Sequence, residues 1–206
     1  VVVLDVIRAS NTVIAALHAG AQAVHLARSL EEARDWKDRN PNWLLWGERG
    51  GEMVPGFQGD NSPAQALSQD LKGRNVILTT TNGVPTILRA RGAGMLLVGS
   101  LANAAASVEQ VSALKPEAVH LLAAGKSGGQ AQEDELVAHY LAARLLGLPA
   151  DGREVAAELK GLDSADELRR LRQDDDLSCC TCLDCTDVVP AVEFAETARA
   201  LRHSTS

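Results

Sequence analysis

Short apolar runs alternate along the chain with longer amphipathic stretches. Val-Val-Val-Leu at 1–4, Ala-Val-His-Leu-Ala at 23–27, Trp-Leu-Leu-Trp at 43–46 and Val-Ile-Leu at 76–78 read as strands buried on both faces. Met-Leu-Leu-Val at 95–98 and residues 119–123 read the same way. Between them the pattern predicts helices over 12–19, 30–39, 63–71, 86–91, 103–114 and 133–146. Their boundaries carry chemical signals. Ser10 or Asn11 caps the first helix and Gly20 stops it; Ser29 and Glu32 have capping-box spacing; Ser62 precedes Pro63; Gly147 closes the last. The strand–helix alternation predicts an α/β fold: three layers, α/β/α, around a largely parallel or mixed sheet. Residues 1–206 form one domain, with 151–187 a polar helical lobe or lid of little apolar face. The tail, 193–203, is helix-prone, and the last residues are expected to fray.

In such sheets ligands bind beyond the carboxyl ends of the strands. Segments 5–10, 47–51, 79–83, 99–103 and the glycine-rich turn 124–129 each follow a predicted strand. The loop 47–62 holds five glycines and one proline, and loops of that length in compact domains are usually functional. Thr79-Thr80-Thr81-Asn82-Gly83 joins a strand to a helix start, where backbone N–H groups and the helix dipole favour an anion. Two readings stand for it: an anion cradle, or a turn whose threonines merely cap.

Composition narrows the function. The hydrophobic fraction, 46%, is ample for a core, whereas aromatics at 3% argue against base stacking. The net charge of −7 disfavours a nucleic-acid surface, so an anionic ligand needs a local cluster of arginines or a metal. No run approaches the roughly 20 apolar residues of a bilayer span, so no membrane partner is expected. The chain opens directly on a strand, so residues are expected to precede Val1. The four cysteines crowd into 179–185 rather than spreading as a disulfide framework, so a cytoplasmic setting is the expectation.

Candidate chemistry gathers at the strand ends. Asp5, Glu48, Asp60, Glu133 and Asp134 are acidic residues there, joined later by Asp176 and Asp184. Asp5 is the most telling, because a carboxylate beside a buried strand must be paired or metal-bound. Arg8 and Arg49 offer bidentate forks to oxyanions, and Lys126 adds a mobile cation. His18, His25, His120, His139 and His203 are scattered, which disfavours a histidine phosphatase. Cys179, Cys180, Cys182 and Cys185 invite a zinc or iron–sulfur reading, but the adjacent pair suits a compact tetrahedral site poorly and separated Cys-x2-Cys knuckles are absent. They read instead as buried thiols or a redox-prone patch.

Taken in order, Val3-Leu4-Asp5-Val6-Ile7-Arg8-Ala9-Ser10, Gly47-Glu48-Arg49-Gly50-Gly51, Gly59-Asp60-Asn61-Ser62-Pro63, Thr79-Thr80-Thr81-Asn82-Gly83, Gly99-Ser100-Leu101-Ala102-Asn103-Ala104, Ala124-Gly125-Lys126 with Glu133-Asp134, and Asp176-Leu177 with Cys180, Asp184 and Val189-Pro190 resemble the 2-phosphosulfolactate phosphatase family over nearly the whole chain. Among the cysteines, the resemblance covers Cys180 alone. It implies a magnesium-dependent phosphatase that hydrolyses the phosphate ester of a small sulfonated hydroxy acid, a step toward coenzyme M in methanogens. It then implies catalytic roles for Asp5, Arg8, Glu48, Arg49 and Asn82, and substrate contacts from Asn61, Ser62, Thr80, Thr81, Gly83 and Lys126. Asp5, Glu133 and Asp134 would hold the Mg2+, with Glu48 or Asp184 as further candidates. The chain lacks a Cys-x5-Arg loop and an Asp-x-Asp strand end, which favours attack by water over a phosphorylated cysteine or Asp5. A non-catalytic binding module for a phospho- or sulfo-metabolite, or a phosphatase with another small phospho-acid, remains open, as does a homodimer.

Overall fold

The computed structural model describes residues 1–126 and 129–203, so part of the predicted turn 124–129, namely residues 127 and 128, and the last residues of the expected frayed end lie outside the described residues. The strands are β1 (Val2–Leu4), β2 (Ala23–Leu26), β3 (Leu44–Arg49), β4 (Glu52–Met53), β5 (Asn75–Thr79), β6 (Leu97–Gly99), β7 (Leu121–Ala123), β8 (Pro190–Phe194) and β9 (Ala198–Arg202). The helices are α1 (Ala9–His18), α2 (Leu30–Arg39), α3 (Pro63–Ser68), α4 (Gly83–Arg89), α5 (Ala104–Leu114), α6 (Gln132–Leu145), α7 (Gly152–Leu159), α8 (Asp163–Arg170) and α9 (Asp174–Cys180). Among the described residues no helix is long and apolar enough to cross a membrane.

The strands form one mixed sheet in the order β4-β3-β5-β2-β9-β8-β6-β1-β7. It holds two parallel blocks, β3–β5–β2 and β6–β1–β7. The β8–β9 hairpin joins them by antiparallel pairing to β2 and to β6. This corrects the expected helical tail. Its charged residues suit a helix in isolation, but alternation over Ala198-Arg199-Ala200-Leu201 and the unpaired edges of β2 and β6 decide for a strand. Along the ladder the two blocks therefore run antiparallel. The carboxyl ends of the two blocks nevertheless meet, with Asp5 after β1, Gly125 after β7, Glu48 on β3 and Thr81 after β5 around one cavity.

Period-two alternation splits the core into layers. Val3 of β1, Val76 and Leu78 of β5 and Trp46 of β3 pack with α1, α3 and α4 residues such as Val13, Ala66 and Ile87. Val2 and Leu4 face the other way, against Val111, Val137 and Leu141 of α5 and α6. Ile77 and Leu45 do likewise, against Ala33 and Trp36 of α2. The hairpin is anchored from β2 as well: His25 Nδ1 lies 2.8 Å from Thr197 Oγ1 while its ring stacks on Trp43 at 3.9 Å.

Three further expectations change. α1 begins at Ala9 with Arg8 at its N-cap, so Ser10 and Asn11 lie inside the helix rather than capping it. β3 runs on through Gly47, Glu48 and Arg49, because Gly47 and its neighbours keep pairing with β5 and then with the short β4. Helices α7–α9 are not without an apolar face: Leu159, Ala165, Leu168 and Leu177 are buried, since such short helices need few apolar positions to dock.

Ala200 is fully buried where the hairpin meets β2. Ala200→Asp is expected to lower unfolding free energy by about 3–5 kcal/mol, the cost of an uncompensated buried charge. Ala195→Asp, at the exposed turn, should change it by less than about 0.5 kcal/mol. Urea titration of both variants checks the pair.

Candidate active site

The site starts where β1 ends. Asp5 closes a tight turn: its N–H donates to Ser10 Oγ at 2.9 Å, and its Oδ1 accepts from the Ala9 N–H at 3.2 Å. Among the described residues Asp5 Oδ2 accepts no hydrogen bond. It lies against Gly83 at the start of α4, where a Cβ would overlap both this oxygen and the Ala9 side chain. Only glycine lets the β5–α4 turn approach so closely. Next to it, Asp134 at the start of α6 accepts from the Val6 N–H at 2.7 Å and the Gly125 N–H at 3.1 Å. Its two oxygens tie the β1 turn to the loop after β7.

Glu48 is fixed on the opposite side. Oε1 accepts from the Thr81 N–H at 2.6 Å, and Oε2 accepts from the Gly51 N–H at 2.9 Å and the Thr81 hydroxyl at 3.1 Å. Gly50 and Gly51 adopt φ of +63° and +85°, which brings the loop back onto this carboxylate. Arg49 turns away. It donates to the Glu48 carbonyl at 2.6 Å and to Thr79 Oγ1 at 2.9 Å.

Arg8 is almost wholly buried. It donates to Asp176 Oδ2 at 2.8 Å, to the Gly51 carbonyl at 3.0 Å and more distantly to Asp60 Oδ2 at 3.4 Å. Asp176 Oδ1 in turn accepts from the Ser62 hydroxyl at 2.6 Å and the Ala64 N–H at 3.0 Å. Burial alone would lower the Arg8 pKa, but Asp60 and Asp176 outweigh it and the guanidinium stays charged.

These groups surround one cavity of about 300 Å3. Of the residues singled out in the sequence, Asp5, Arg8, Glu48, Asn61, Thr81, Asn82, Lys126, Glu133 and Asp134 line it. Arg49, Ser62, Thr80 and Gly83 stand behind its wall, where Ser62 and Thr80 cap α3 and α4. Asp184 lies elsewhere and accepts from the Ala105 N–H at the start of α5. Sequence reasoning read the segment holding α8 as a lobe or lid but named none of its side chains; Ser164, Glu167 and Leu168 form another wall. It also left Asp60 and Asp176 without their role as partners of Arg8. None of the four cysteines lines this cavity; Cys180 is fully buried.

Acidic groups dominate. Burial, with Glu48 and Glu133 nearby, pushes Asp5 up to about 6. Burial and the Asp5 charge push Asp134 up to about 8. Among the described residues no group of three or more His, Cys, Asp or Glu is arranged to hold a metal. Two carboxylates at the cavity have oxygens that accept no hydrogen bond among the described residues: Asp5 through Oδ2, and Glu133 through both.

The family described as 2-phosphosulpholactate phosphatase matches residues 1–194 of this chain. A probable 2-phosphosulfolactate phosphatase of Synechococcus sp. (strain CC9605) is 35% identical over 92% of this chain and 87% of its own. One of Synechococcus sp. (strain WH7803) is 33% identical over 98% and 89%. One of Thermus thermophilus is 42% identical over 78% and 69%.

Asp176→Ala leaves the buried Arg8 charge with its weaker partner. It is expected to lower stability by about 3 kcal/mol, and Arg8→Met in the same chain to recover most of that loss; urea unfolding of the single and double variants measures both. A second expectation concerns pH. An unfolded aspartate titrates near 3.9, so between about pH 4 and 8 the folded chain holds more protons at Asp5 and Asp134 than the unfolded one. Their contribution is therefore full in acid and lost as pH rises through the folded values. In EDTA the fall of the thermal midpoint from pH 5 to 8 should be shallower in Asp134→Asn, which cannot ionise, than in the wild type.

Proposed function

The chain belongs to the 2-phosphosulfolactate phosphatase family, and on that premise we propose that it hydrolyses 2-phosphosulfolactate to sulfolactate and phosphate with the help of magnesium. The charge balance of the cavity carries this reading. Asp5, Glu48, Glu133 and Asp134 line it, while its cations are already paired, Arg8 with Asp176 and Lys126 with Glu167. A substrate bearing phosphate, carboxylate and sulfonate is repelled by such a cavity unless a further cation enters.

Hard carboxylate oxygens suit magnesium, which is typically held by one or two carboxylates together with waters and substrate phosphate. Asp5 and Glu133 would hold it, and Asp134, beside Glu133 on α6, ties that helix start to the β1 turn that carries Asp5 and to the loop after β7. When bound, the ion neutralises charge on the phosphoryl oxygens and lowers the pKa of water. The chain's own residues orient the ester: Asn61 and Asn82 offer side-chain amides from the wall, and Leu168 and Leu171 cover an apolar side. The cysteines stand outside the cavity, which supports attack by water over a phosphocysteine. The reading includes a cytoplasmic setting, which four cysteines crowded into 179–185 favour.

Phosphate release from 2-phosphosulfolactate, followed with magnesium and after EDTA, tests the proposal. Magnesium-dependent release is expected, and Asp5→Asn or Glu133→Gln should lower kcat/KM by about a hundredfold or more. Undiminished release in EDTA would remove the ion from the reaction; binding without release would make the chain a metabolite-binding module.

A further inference from the structure

One wall of the cavity supplies only apolar cover and a paired carboxylate in the reading above. It is α8, which presents Ser164, Glu167 and Leu168, and just beyond its end Leu171. These positions share one helix face by spacing. Leu168 packs with Ala165 and Leu177 against Ile7, so the wall is seated on the same β1 turn that carries Asp5.

Ser164 is 8% exposed, and its hydroxyl has no hydrogen-bond partner among the described residues. Buried hydroxyls are ordinarily paired, so an orphan on a cavity wall points to a missing ligand. Asn61 Oδ1 is the other orphan side-chain atom contributed by a lining residue. The two differ in kind: Asn61 Oδ1 only accepts, whereas the Ser164 hydroxyl also donates. Near Ser164, Lys126 from the loop after β7 forms an ion pair with Glu167, one helical turn along α8. Both partners are about half exposed, and pairs of that kind are held weakly.

A sulfonate has three acceptor oxygens and no proton near neutral pH. It matches a hydroxyl donor beside an ammonium and has nothing to offer an acceptor. Glu167, a carboxylate on the same ammonium, fills the place such a group would take. Building on the functional reading above, we infer that α8 recognises the sulfonate end of the substrate: Ser164 Oγ donates to the sulfonate, and Lys126 leaves Glu167 to pair with it. The phosphate end then faces Asp5 and Glu133, and the carbon skeleton lies along Leu168 and Leu171. Glu167 competes with the substrate for Lys126 and holds the wall together in its absence.

The plainer account makes Ser164 a first-turn helix residue and Lys126–Glu167 a solvated pair; it predicts no effect on substrate choice. The test compares kcat and KM for 2-phosphosulfolactate and for 2-phospholactate, which has the same skeleton without the sulfonate. Ser164→Ala should raise KM for the sulfonated substrate about tenfold, the factor supplied by a hydrogen bond to a charged group, with kcat and the phospholactate KM little changed. Glu167→Gln should lower KM for the sulfonated substrate only. Ser107→Ala, another buried unpartnered serine but outside the cavity, serves as the control and should leave the preference intact. A Ser164→Ala enzyme that keeps its preference, or loses kcat on both substrates alike, overturns the inference while leaving the phosphatase reading in place. If the wild type hydrolyses neither ester, the phosphatase reading falls. Calorimetric titration with sulfolactate and lactate then decides: a sulfonate preference that disappears in Ser164→Ala sustains the inference, and the absence of any preference overturns it.

Discussion

The buried Arg8 guanidinium is the constraint on which the site depends. A charge that is 4% exposed must be matched inside the protein, and its partners come from widely separated segments: Gly51 in the glycine loop, Asp60 before α3 and Asp176 in α9. Matching one charge thus gathers the loops after β1 and β3 and the C-terminal helices at the same end of the sheet. Asp176 extends the network by holding Ser62 and the Ala64 N–H at the start of α3. An arginine that serves as an anchor in this way has its charge matched within the protein, by Asp176 above all, before any substrate enters.

A second constraint is that carboxylates are held together against their own repulsion. Three of them are oriented by backbone N–H groups: Asp5 by Ala9, Asp134 by Val6 and Gly125, Glu48 by Gly51 and Thr81. Backbone donors favour the charged form, yet burial and proximity still raise Asp5 and Asp134. Such a cluster costs folding free energy near neutral pH. That cost has a clear purpose if a cation completes the cluster, and none if the cavity receives a polyanion unaided.

Much of this was legible in the sequence, and the reasons are physical. Strand runs and N-caps such as Ser29 and Ser62 are local signals, and both caps are made as expected. The strand-end motifs were legible because an α/β sheet gathers its carboxyl ends, and nine of the singled-out residues share one cavity. What was not legible depends on distant partners. β9 is helix-prone locally and becomes a strand because β2 and β8 flank it. Arg49 and Arg8 look alike as forks in loop motifs; only the fold shows one turned onto Thr79 and the other sealed among carboxylates. Ser164 carries no sequence signal at all, because an unpaired hydroxyl is a property of its surroundings.

The two halves of the chain therefore divide the work by kind. Residues up to 134 supply the acidic strand ends, where the local rules of an α/β sheet place chemistry. The later residues supply closure. The β8–β9 hairpin completes the sheet between its two parallel blocks, Asp176 neutralises Arg8, and α8 walls the cavity. Asp5, Glu48 and Asp134 are bound to the fold by backbone hydrogen bonds and cannot drift without unmaking turns. A short helix seated on Ile7 and Leu177 is held by side-chain packing and one half-exposed ion pair, Lys126–Glu167, and tolerates substitution on its cavity face. Selectivity for the far end of the ligand is thus free to change on α8 while the phosphate end stays fixed by the sheet.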